Sequence, residues 1–330
     1  MGAVGATVGT MAAGAMGRAG GIVPEAAGAW DMPGQNGPKS PTPSQPEHPT
    51  VAPMAIGLFI ELTDEPEPII AQVRELGMSN CFLFLDKYLG SYSNARALQV
   101  GDLLEKYGVV PTAVEVVGPP PIVWDFLRGP STLGIVPRAT RTARMDALKR
   151  TSDFAKLLNI GQVQTHCGYI PEDPADPVYE ETVLAIREVA QHCAGNGQLF
   201  LMETGQETPT TTSRTLQDVD QPNLGVGLDV ANLIVFGKAN PVDAIDIIGR
   251  HVRTVHAKDG RWPSDPMKPG PQVLIGTGLV DFHTVFTKLR RIGYAGPITI
   301  ETWGSQRVAD VRVEKQFLDR VLARVHSETA

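Results

Sequence analysis

Four residues of metal-binding type close short apolar runs in the second half of this 330-residue chain: Glu203 in LFLMETG, Asp229 in VGLDVAN, His256 in TVHAKDG and Glu301 in ITIETWG. Three carboxylates and one imidazole form a hard, oxygen-rich donor set. Such a set suits Mn²⁺ first, with Mg²⁺ or Co²⁺ as alternatives, whereas structural zinc would favour thiolates. One polar residue at the end of an apolar run is commonly just a solvated loop start. Four on successive runs are harder to explain that way, because buried, clustered carboxylates are costly unless a cation offsets them. His166, in QTHCGYIPEDP, ends an earlier run, where it can hydrogen-bond a substrate hydroxyl or exchange a proton near neutral pH. Lys258 lies two residues past His256 and so on the same strand face. From there it would stabilise an enediolate oxygen or pair with one of the acids.

These residues need elements that bring them together. From Met54 onward, apolar runs alternate with amphipathic stretches, and the runs at 54–62, 80–86, 109–117, 161–167, 198–203, 224–229, 252–258 and 296–302 are expected to be strands. Their near-continuous apolar character fits parallel strands covered on both faces. Helical periodicity fills the gaps: Ile69, Val73 and Leu76; Ile186, Val189, Ala190 and Cys193; Phe282, Val285, Phe286 and Leu289; Leu318, Val321, Leu322 and Val325. Eight strand–helix units predict a (β/α)8 TIM barrel over 54–330, with the chemistry at the C-terminal ends of the strands. Glu61, Asp86 and Glu115 end the first three strands. A doubly wound sheet is disfavoured because MAIGLFIEL runs into Thr63 and Asp64 with no glycine-rich phosphate loop.

Residues 1–53 have a different texture. Residues 1–30 hold 17 Gly or Ala, and MGAVGATVGTMAAGAM resembles the apolar region of a twin-arginine export signal, although paired arginines do not precede it. Seven prolines in 32–53 indicate an extended linker. The expectation is a signal-like leader and Pro-rich linker on an exported, periplasmic enzyme, with a cytoplasmic one as the alternative. Elsewhere, the sequence contains no stretch apolar enough for a membrane span. A net charge of −7 argues against a nucleic-acid partner. Cys81, Cys167 and Cys193 are expected to be buried thiols. Two long loops, 118–137 and 260–280, would roof the pocket, with Trp124, Phe126, Arg128 and Trp262 offering a stacking face and a cation for a sugar. Gly276-Thr277-Gly278 is expected to end the second loop before Asp281 caps a helix, and His192, His251 and His283 to lie on helices or helix ends, away from the chemistry.

The stretch running from ETGQETP through GLDVAN and VHAKDG to GTGLVDF and GYAGPITIETW resembles the xylose-isomerase-like TIM barrels, in particular their sugar phosphate isomerase/epimerase group. That group includes ketose 3-epimerases, inosose dehydratase, hydroxypyruvate isomerase and, more distantly, endonuclease IV. The resemblance covers about 54–325 and is strongest over 198–303. It implies that Glu203, Asp229, His256 and Glu301 hold a metal, and that Glu203 and Glu301 exchange protons on opposite sides of a substrate carbon. Many members carry a histidine three residues after the metal aspartate, where this chain has Asn232, and ketose epimerases carry a substrate-binding arginine where this chain has Trp262 beside Arg261. Both departures weaken a plain 3-epimerase reading, and the lost histidine argues against a nuclease.

The expected function is a divalent-metal-dependent isomerase or epimerase acting on an unphosphorylated sugar or keto-sugar, by proton abstraction next to a metal-bound carbonyl. Glu203, Glu301, His166 and Lys258 would be catalytic; Asn232, Trp124, Arg261 and Trp262 would bind substrate. A lyase or dehydratase acting on an inosose or 3-keto-glycoside is the alternative. A non-catalytic carbohydrate-binding subunit is the rival from another class. The expected partner is a small carbohydrate, and a homo-oligomer or partner subunit is compatible with the sequence.

Overall fold

The computed structural model describes His48, residues 51–302 and residues 308–328. The leader and nearly all of the Pro-rich linker lie outside the described residues. Ten strands are described: β1 Ile56–Glu61, β2 Asn80–Phe84, β3 Val110–Glu115, β4 Gln162–Thr165, β5 Leu199–Glu203, β6 Leu224–Asp229, β7 Val252–Ala257, β8 Asp259–Gly260, β9 Gln272–Val273 and β10 Ile298–Ile300. All except β8 and β9 close into one parallel barrel, in which β10 returns to β1; β8 and β9 pair as an antiparallel ribbon. The fold is the expected TIM barrel.

The barrel strands are covered on both faces and most are largely apolar, with β4 (QVQT) the polar exception. One face packs inside the barrel and the other against helices such as Asn94–Tyr107, Arg138–Leu157 and Pro177–Gly195. In the first expected helical stripe Val73 and Leu76 are buried, while Ile69 is only partly covered and Ile70 beside it is fully buried. The barrel interior holds an aromatic floor of Phe59, Phe82 and Phe84. Gly227 leaves room for the Gln164 side chain, which a Cβ at that position would strike.

Strand ends are shorter than the apolar runs. His166 and Cys167 fall beyond β4, Lys258 beyond β7 and Glu301 beyond β10. The 118–137 loop includes a short helix, Gly129–Thr132. Arg144, itself fully buried, holds that loop by donating to the carbonyls of Pro119, Pro121 and Gly134. Asp281 caps Phe282–Arg291 by accepting from the Thr284 amide, as expected. The three cysteines are buried and unbridged. His48, in the linker, contacts Asn159 and the Gly197 carbonyl.

Candidate active site

Neighbouring strands deliver the four residues in register. Asp229 ends β6 opposite His256 on β7, Thr299 on β10 pairs with the same His256, and Glu203 ends β5 opposite Gly227. Donor atoms of Glu203, Asp229, His256 and Glu301 lie within 4.8 Å of one another, and all four residues are buried. His256 Nδ1 is 2.8 Å from Glu301 Oε2 and 3.4 Å from Glu203 Oε1, so the two glutamates approach one imidazole nitrogen. Phe59 and Phe82 pack edge-on against the His256 ring at 5.4 and 4.7 Å, fixing its plane.

This donor set fits a divalent cation. Glu203 Oε2, Asp229 Oδ2 and His256 Nδ1 are buried polar atoms with no aligned hydrogen bond among the described residues. The other Asp229 oxygen is already satisfied, accepting from the amides of Ala231 and Asn232 at 2.8 Å each. Oriented in this way, the aspartate presents Oδ2 to the cluster. Lys258 Nζ lies 2.8 Å from Glu301 Oε1 and 3.2 Å from Asp229 Oδ2, so the pairing reading of this lysine is realised.

Electrostatics follow from burial and charge. Burial pushes the Asp229 carboxyl up to about 7, with Lys258 opposing the rise. Burial also acts to raise Glu203 and Glu301, but neighbouring basic side chains outweigh it. His166 and His256 bring Glu203 down to about 2, and Lys258 and His256 hold Glu301 well below the usual carboxylate range. Burial lowers the pKa of His166. His256 and Lys258 are held up by the surrounding acids despite their burial.

Two further buried groups complete the cluster. Glu115, at the end of β3, joins His166 and Glu203 in a second trio with donor atoms within 4.8 Å. Burial and the Glu203 charge push its carboxyl well above the usual range. Gln164 on β4 donates to Glu115 at 3.1 Å, meets His256 Nε2 at 3.4 Å and accepts from Thr254 at 2.7 Å. Sequence reasoning noted Glu115 only as a strand end and missed Gln164. The available signal was the polar character of β4, whose sequence QVQT has a single apolar residue where its neighbours are mostly apolar.

A cavity of about 510 Å³ opens above the cluster. Among the expected residues, His166, Lys258, Glu301, Asn232 and Trp124 line it. Asn232 donates to Glu203 Oε1 at 3.2 Å, and Trp124 packs edge-on against His166 at 4.9 Å. Arg261 and Trp262 do not line the cavity. Arg261 donates to the Thr277 carbonyl within its own loop, and Trp262 is 49% exposed. The β8–β9 ribbon instead brings Gln272 to the cavity, where it donates to the Glu301 carbonyl. Arg128 pairs with Asp125 and is exposed. Asp86 also lines the cavity and anchors the roof loop, accepting from the amides of Val117 and Gly118. His192, His251 and His283 contact Asp153, Arg250 and Glu328, away from the cavity.

A family model described as the xylose isomerase-like TIM barrel matches residues 70–321. A xylose isomerase domain protein from Planctomyces limnophilus superposes with a TM-score of 0.76 at 28% identity, covering 84% of this chain and 99% of that one. An uncharacterized protein of Methanocaldococcus jannaschii is 25% identical over 201 residues, which span 58% of this chain and 66% of that protein. A ketose 3-epimerase of Arthrobacter globiformis is 32% identical over 94 residues, covering 28% of this chain and 29% of the epimerase.

Proposed function

Since the chain belongs to the xylose isomerase-like TIM barrel family, we propose that it is a divalent-metal-dependent isomerase or epimerase acting on an unphosphorylated sugar or keto-sugar. The observation that carries this reading is the placement of Glu203 and Glu301 about one imidazole nitrogen, with donor atoms that fit a cation and with Glu301 lining the cavity. The similarity to a ketose 3-epimerase supports the reaction class. Glu203, Asp229, His256 and Glu301 would hold the ion, with Mn²⁺ the first choice and Mg²⁺ or Co²⁺ next. The chemistry supplied by such an ion is Lewis-acid acidification of the C–H beside a carbonyl.

The protein's own groups then move the proton. Both glutamates are ionised at neutral pH, so either can accept the C–H proton while the electron pair passes to the carbonyl oxygen. The first glutamate can return its own proton to the neighbouring carbon, which gives isomerisation; epimerisation needs the second glutamate to take up a proton from solvent and deliver it to the opposite face, while the first loses the abstracted proton to solvent. Lys258, held in its charged form, donates to the developing oxyanion. His166 and Asn232 line the cavity and offer hydrogen bonds to substrate hydroxyls. Lys258 is the only lysine or arginine among the described lining residues, and two carboxylates offset its charge, so the lining offers no surplus positive charge to a phosphate; this supports an unphosphorylated substrate.

Glu115 favours a second reading, a lyase or dehydratase on an inosose or keto-glycoside. Its buried carboxyl, pushed well above the usual carboxylate range, lines the cavity and can serve as the acid toward a leaving hydroxyl or alkoxide. The test is deuterium incorporation from solvent, with ketoses, inososes and keto-glycosides as the panel. Exchange next to the carbonyl, abolished by a chelator and by Glu203→Gln, is expected. No exchange across the panel would overturn the enzyme reading in favour of a carbohydrate-binding protein.

A further inference from the structure

The cavity has two chemically different parts. Its strand-end side carries the charged groups Glu301, Lys258 and Glu115 beside Phe84. The loops supply an apolar part through Ile122, Trp124, Val235, Phe236 and Pro269. Apart from the Trp124 indole N–H, no side chain of these five can hydrogen-bond. A sugar hydroxyl placed against them would lose its water without gaining a partner, a cost that an apolar substituent does not meet.

This wall is built in advance. Phe236 is backed by Phe126 and Tyr169, each with its ring centroid 6.4 Å away, and Trp124 stands 6.5 Å from Phe236 at an interplanar angle of 48°. Backbone bonds tie the loops together: the Gly270 amide donates to the Val235 carbonyl at 2.8 Å, and the Phe126 amide to the Met267 carbonyl at 3.0 Å. Trp124 keeps 40% of its surface open although one edge is fixed against His166, so an aromatic face is available to a ligand. At about 510 Å³ the cavity falls in the size range of sites for drug-sized ligands, more than a single sugar ring fills.

Resting on the sugar-transforming reading above, we infer that the substrate is an uncharged keto-sugar bearing an apolar, ring-containing substituent. The sugar sits over the strand-end side, and the substituent packs against the corner formed by Trp124 and Phe236. The site therefore selects a glycoside with an apolar aglycone over a free ketose or an all-polar disaccharide.

The test uses metal-loaded, full-length protein and three unreactive probes, methyl β-glucoside, phenyl β-glucoside and cellobiose, titrated by ligand-observed NMR. The phenyl glucoside should bind about tenfold tighter than the methyl glucoside, or more, as expected for burial of a ring face. Cellobiose should gain nothing over the methyl glucoside. Trp124→Ala and, separately, Phe236→Leu should reduce the phenyl preference to less than about threefold. Equal affinity for phenyl and methyl glucosides, a preference for cellobiose, or a phenyl preference unchanged in both variants would overturn the inference. Probe binding involves no proton transfer, so the two proposals fail separately. Phenyl preference without deuterium exchange would sink only the reaction, and exchange on a free ketose without phenyl preference would sink only the aglycone site.

Discussion

Replacing Lys258 with methionine should reveal whether this lysine and a divalent cation balance the same carboxylates. Lys258 is 8% exposed and reaches Glu301 at 2.8 Å and Asp229 at 3.2 Å. At about 3 Å and an effective dielectric near 20, each contact amounts to roughly 5 kcal/mol of Coulomb attraction, much of it offset by desolvation. Removing one partner of a buried pair typically costs about 3–5 kcal/mol. Asp229, already pushed to about 7, can take up a proton and limit the damage, so the lower end applies. With about 2–4 °C per kcal/mol for a domain of this size class, chelator-treated Lys258→Met should melt about 6–12 °C below the chelator-treated parent. With saturating Mn²⁺ the gap should close to within about 2–4 °C, equivalent to roughly 1 kcal/mol, because a cation would then neutralise the acids. The assay is a paired thermal melt of both proteins with and without metal. An equal deficit in the two conditions would refute the reasoning, since Lys258 would then stabilise the barrel independently of any ion.

Asp229→Asn and His256→Ala should each abolish tight metal binding while the far-ultraviolet spectrum stays intact; stoichiometric metal in either purified variant would remove that residue from the ligand set. Glu207 is buried, and burial pushes its carboxyl from an ordinary 4.5 up to about 8. The folded state therefore keeps a proton that the unfolded chain releases, and stability falls as pH rises from about 4.5 to 8. Glu207→Gln should remove up to about 4 kcal/mol of that fall, and urea titrations at pH 5 and 9 showing the same slope in both proteins would count against a neutral Glu207. Incubation with abasic-site duplex at low salt and Zn²⁺ or Mn²⁺ should leave the DNA intact, because a net charge of −7 opposes binding; incision lost in Glu203→Gln would reassign the site to phosphodiester chemistry.

The barrel and the four-residue cluster were legible in the sequence because both depend on local pattern. An apolar strand with a charged last residue announces its period and its polar end within a few positions, and parallel closure then brings successive strand ends to one rim. Glu203, Asp229, His256 and Glu301 meet for that reason. Relations between distant segments are not written in any local window. The Gln164 bridge between Glu115 and His256 depends on barrel stagger and on the space above Gly227. Only the loop path decides that Trp124 faces the cavity while Arg261 and Trp262 turn away and Gln272 takes the lining position. Lys258 both lines the cavity and touches the acids, a double placement that no local window gives. Its pairing with Asp229 and Glu301 was settled by tertiary packing, because burying three carboxylates together draws in the nearest cation on the same rim.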